Sequence, residues 1–83
     1  MNVTLFLHFM YPDAIHEEAC LRYAGPDAKG HENIALGDDL TPDDGEREGE
    51  YIVAEEPRMF CVDQGIDAWH KHVVLLPKPQ RWH

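Results

Sequence analysis

Apolar residues alternate with a period of two at the start of the chain. In residues 3–10, Val3, Leu5, Leu7 and Phe9 share one face of a strand, and Thr4, Phe6, His8 and Met10 share the other. Both sets are largely apolar, which predicts a central strand covered on both sides. Helix punctuation comes next. Asp13 offers an N-cap after Pro12, Glu17 and Glu18 fall in the early turns, and Ile15, Ala19 and Arg22 or Tyr23 return to one side. Glu18 and Arg22 are spaced to pair at i,i+4, and Gly25-Pro26 ends the pattern, so a helix is expected over residues 13–24.

Residues 25–33 read as loop and residues 34–36 as a short strand. Two apolar runs, 50–54 and 59–62, flank Glu55-Glu56-Pro57-Arg58, a pattern for a β-hairpin with Pro57 confined to its loop. Residues 66–77 alternate well enough for a last strand that opens as a helical turn, and Pro77 and Pro79 lead into a short tail, 77–83. The expectation is a single α+β domain over residues 1–83. An antiparallel sheet of about four strands would carry one α-helix packed on one face.

Charge changes the picture. Within residues 38–56 lie Asp38, Asp39, Asp43, Asp44, Glu46, Glu48, Glu50, Glu55 and Glu56 against one base, Arg47. That segment holds nearly all of the net charge of −9. An acidic loop over about residues 37–50 repels nucleic acid and attracts basic surfaces from beyond contact distance. Direct nucleic-acid binding is therefore not expected. The opening apolar run lacks a basic flank and a small-x-small cleavage pattern, and no run reaches the roughly 18 apolar residues of a membrane span. A cytoplasmic protein with reduced thiols at Cys20 and Cys61 is expected, without membrane association.

Catalytic signatures are sparse. The chain has no serine and no glycine-rich phosphate loop. Cys20 and Cys61 have apolar neighbours that favour inert thiols. An EF-hand register on the acidic loop fails, because with Gly45 at the sixth position Leu40 would be the first ligand. His70 and His72, two apart, put both rings on one face of a strand, a spacing that zinc sites use. Third ligands would come from His8, His83, Cys20 or Cys61, all distant in sequence. The usual role of such a pair is polar surface, so no metal, cofactor or catalytic residue is assigned. Trp82, in the tail, is a candidate for a partner interface, where Trp is enriched.

In size and charge alone, with no shared motif, the chain is similar to the small acidic proteins with which phages and mobile elements block host machinery, including anti-CRISPR proteins and nucleic-acid mimics. The expectation is a non-enzymatic inhibitor or modulator. It would present Asp38, Asp39, Asp43, Asp44, Glu46, Glu48, Glu50, Glu55, Glu56 and Trp82 to a basic groove of a nucleic-acid-handling protein. The alternatives are a metal-binding protein or metal-dependent enzyme built on His70 and His72, and an antitoxin-like or regulatory subunit that neutralises a basic partner.

Overall fold

The computed structural model describes residues 1–13, 15–42, 45, 47 and 49–78. In chain order the elements are β1 (Asn2–Met10), β2 (His16–Ala24), α1 (Pro26–His31), β3 (Asp39–Leu40), β4 (Tyr51–Val53), β5 (Arg58–Asp63) and β6 (Ala68–Pro77). All six strands join one mixed sheet in the order β2-β1-β6-β4-β3, with β5 also on β6. The molecule is mostly β, which corrects the α+β expectation. The sheet is not purely antiparallel either, since β1 and β6 run parallel with Asn2 opposite Ala68 and Phe9 opposite Leu75.

The segment expected as a helix, 13–24, is instead the edge strand β2, paired antiparallel with β1 from Asn2–Ala24 to Met10–His16. Its residues also alternate. Glu17, Ala19, Leu21 and Tyr23 turn to one face and His16, Glu18, Cys20 and Arg22 to the other, and pairing along the whole of β1 outweighs the helix preference of Glu, Ala, Leu and Arg. Asp13 caps a turn, its Oδ1 accepting the Ile15 N–H at 3.2 Å. Gly25-Pro26 does end an element, but it also begins α1. Gly25 takes φ 57°, ψ −132°, which a side chain would strain, and Pro26 opens the first turn.

The two apolar runs at 50–54 and 59–62 do not pair with each other. Both lie along the same edge of β6: β4 opposite 75–77 and β5 opposite 68–72. Between Val53–Leu75 and Arg58–His72, residues 54–57 oppose only Val73 and Val74, a two-residue bulge. The short strand expected at 34–36 is absent, and those residues form turn and irregular chain. The expected last strand is present as β6, preceded by a turn at 64–67 rather than a helical one.

After β2, at one edge, the chain must reach β3 at the other. It does so across one face of the sheet, and that face is the core. Val3, Leu5, Leu7, Phe9, Ala28, Tyr51, Val53, Val73 and Leu75 are buried there, with Ile34 of the crossing segment and Leu40 of β3 packed against them. The opposite face of β1 is only half-buried, so β1 is central in the sheet but fully covered on one side alone.

Candidate functional site

The uncrossed face gathers four of the histidines, His8, His16, His70 and His72. Register places His8 opposite Glu18, Met10 opposite His16, Phe6 opposite both Cys20 and His72, and Phe60 opposite His70. His72 lies flat between the rings of Phe6 and Phe60, at 4.6 and 5.7 Å between centroids. It also stacks with His8 at 5.2 Å. A cleft of about 550 Å³ opens over this row, lined by His8, His16, His72, Phe60, Arg58 and the bulge residues Glu55 and Glu56 among others. The bulge matters to the cleft because its extra residues re-aim side chains at the rim.

Three donor atoms converge beside the cleft. Glu18 Oε1 lies 3.2 Å from His8 Nδ1 and 3.7 Å from His16 Nε2. One ligand atom from each of the three residues lies within 4.8 Å of the others. Tetrahedral ligands about 2.0–2.2 Å from a zinc ion stand about 3.3–3.6 Å apart, so a small contraction would let all three hold one cation. The second His8 nitrogen, Nε2, is 3.0 Å from His72 Nδ1. Burial lowers the His72 pKa from the ordinary histidine value, and His8 and His70 lower it further. A neutral His72 can accept at Nδ1 from His8 Nε2–H, which turns the His8 Nδ1 lone pair toward Glu18 and His16.

The histidine pair picked out in the sequence is thus split. His72 is in the cleft as a supporting group, whereas His70 packs edge-on against Phe6, at 4.8 Å, and Phe60, at 5.9 Å. His8, a candidate third ligand in the sequence, is central. Cys61 lies on β5 opposite Trp69, and Cys20 is exposed on β2, neither of them in the cluster. His83 lies outside the described residues. His16 and Glu18 were hidden by the helix assignment. Read as a strand, His16-x-Glu18 puts both side chains on one face.

The acidic residues scatter. Asp43, Asp44, Glu46, Glu48 and Trp82 lie outside the described residues. Asp38 Oδ2 accepts the Ala35 N–H at 2.9 Å and fixes a turn. Asp39 and Glu50 hold Lys78 between them, at 3.1 and 3.4 Å. Of the described acidic residues of this segment, only Glu55 and Glu56 line the cleft, and neither forms an ion pair with another described residue. Arg47, the one base of the segment, meets Glu17 and lies over the Phe9 ring at 4.1 Å. No helix among the described residues is long and apolar enough to cross a membrane.

No family model, curated protein or solved structure matches this chain.

Proposed function

We propose that this protein binds a divalent transition-metal ion of the zinc class through His8, His16 and Glu18, with open coordination positions facing the cleft. The observation that carries the reading is the convergence of His8 Nδ1, His16 Nε2 and Glu18 Oε1, backed by the His8–His72 hydrogen bond. Two imidazoles and one carboxylate suit zinc or its first-row neighbours, and leave room for water or a small ligand. His72 supports the site as a partner that orients a ligating histidine. Glu55 and Glu56 give the open side of the cleft a negative rim, which favours cation entry.

Calorimetric titration of the purified chain with Zn²⁺ at pH 7.5 tests this. One equivalent should bind, and His16→Ala or Glu18→Gln should each weaken binding by more than tenfold. His72→Phe, which keeps the ring stack, should weaken it about 10–100-fold, as loss of an orienting partner does. Absence of saturable binding, or affinity unchanged in His16→Ala, would sink the reading.

A second reading is favoured by Glu55 and Glu56, exposed on the bulge without ion-pair partners among the described residues. It is an acidic docking surface for a basic protein, such as one that handles nucleic acid, with this chain as a cytoplasmic inhibitor or modulator. Both described cysteines are free, in keeping with a reducing compartment.

A further inference from the structure

Strand β2 is an open edge, nine residues long, regular in register and free of proline and glycine. Natural sheets usually protect such an edge with a bulge, a proline, a very short strand or charged side chains, and of these β2 carries only charges, at Glu17, Glu18 and Arg22. The opposite edges of this sheet have other such features: β3 is two residues long and β5 carries an irregularity between Cys61 and Asp63. Among the described residues, no backbone group of another element pairs with the outer side of β2.

The hydrogen-bond parity of β2 fixes how it can be extended. At the two ends of the β1–β2 hairpin, Gly25 N–H donates to the Met1 carbonyl at 3.0 Å and Tyr11 N–H to the Ile15 carbonyl at 3.0 Å. Odd-numbered residues of β2 therefore face β1 with their backbone groups. Those of His16, Glu18, Cys20, Arg22 and Ala24 point outward.

We infer that a second copy of this chain adds to this edge, β2 antiparallel to β2, about a two-fold axis at Cys20. Three observations select this occupant and register. Cys20 is the midpoint of the strand, so this is the register that pairs all nine residues, His16 opposite Ala24 at both ends. Every outward backbone group then meets another outward one. The side chains are also self-complementary: Glu18 lies opposite Arg22 twice, on the uncrossed face, while Ala19 lies opposite Leu21 on the core face. A shift of two residues either way places Glu18 opposite Cys20 or Ala24 and loses both ion pairs. Glu18 and Arg22 are four residues apart, too far to meet along one strand; the two-fold brings them together across two.

The two Cys20 residues become a directly opposed, hydrogen-bonded pair, with Cα atoms about 5.5 Å apart, within disulfide reach. The interface shares one residue, Glu18, with the proposed metal site. Glu18 serves both, one oxygen toward His8 and the other free for the partner's Arg22.

Sedimentation of the full chain with Cys61→Ser at 150 mM NaCl tests the inference. The protein should be dimeric at micromolar concentration, and diamide should join it through Cys20, two thiols giving up two protons and two electrons to the diazene. Cys20→Ser, with Cys61 intact, should remain dimeric yet not cross-link. Arg22→Glu sets glutamates opposite glutamates and should weaken the dimer at least tenfold. Restoration in the Glu18→Arg, Arg22→Glu double variant would confirm the pairing, and both side chains are exposed, so circular dichroism should show the sheet unchanged. A monomer at all concentrations, a dimer indifferent to Arg22→Glu, or cross-linking through Cys61 would overturn it.

Discussion

Lys71 is the least expected residue in the molecule. It is 3% exposed, on the core face of β6, between Trp69 and Val73. Its ammonium donates to the carbonyls of His31, Glu32 and Ile34 at 3.1, 2.8 and 2.7 Å. Those carbonyls end α1 and start the crossing segment, so one side chain satisfies the orphan acceptors of the helix terminus and fastens the crossover to the sheet. Burial lowers the Lys71 pKa, with Asp38, Glu32 and Glu56 opposing that shift. Lys71→Met fills similar space but takes the ammonium donor from all three carbonyls, leaving that of His31 only a long contact from the Ile34 N–H at 3.5 Å. It should cost about 2–4 kcal/mol, read as a lower urea midpoint with an unchanged slope. A change below about 0.5 kcal/mol would mean the crossing segment is held by its apolar contacts alone. His31, at the same junction, stacks on Tyr23 at 3.7 Å, and burial lowers its pKa. The unfolded chain then takes the proton first as pH falls. Stability is lost as pH drops through the ordinary histidine value of about 6.5 toward the folded one. His31→Gln should reduce that slope in thermal melts between about pH 7.5 and 5.5, with His72 supplying part of what remains.

At the scale of elements, β1 and β6 were legible because burial imposes a strict alternation: Val3, Leu5, Leu7 and Phe9, then Trp69, Lys71, Val73 and Leu75. In β6 that same alternation already put a lysine among core residues, a sign that it needed acceptors. The β2 segment reads as a helix because its inward residues, Glu17, Ala19, Leu21 and Tyr23, are poor in β-branched side chains, and its flanking Pro12-Asp13 and Gly25-Pro26 also punctuate helices. Edge strands bury little, so their pattern is weak. The separation of β4 from β5 was invisible for a different reason. A bulge and a hairpin loop use the same residues, and what distinguishes them is that residues 51–53 and 58–63 share a partner far along the chain. Both ambiguities conceal the candidate site. His8 and His72 stood out in the sequence, but His16, Glu18 and the rim position of Glu55 and Glu56 depend on β2 as a strand and 54–57 as a bulge.

At the scale of the whole molecule, sixteen acidic side chains face seven basic ones. The molecule measures 50 × 24 × 23 Å. At about 10 mM ionic strength the screening length is about 30 Å, so carboxylates on opposite sides of the short dimensions repel each other. At about 150 mM it falls to about 8 Å, and only near neighbours still interact. Salt also weakens the attractions, which among the described residues include the N-terminal amine with Asp67, Lys78 with Asp39 and Glu50, and Glu17 with the largely covered Arg47. Exposed pairs of this kind are worth about 0.2–1 kcal/mol each. Long-range repulsion therefore outweighs them, and the thermal midpoint should rise by several degrees between about 10 and 150 mM NaCl, a range too dilute for salt to act much through hydrophobic burial. The same screening should slow association with a basic partner, so added salt would raise stability while it lowers the on-rate. A midpoint that fell over this range would show that local ion pairs, and not the overall charge, govern the electrostatics of the fold.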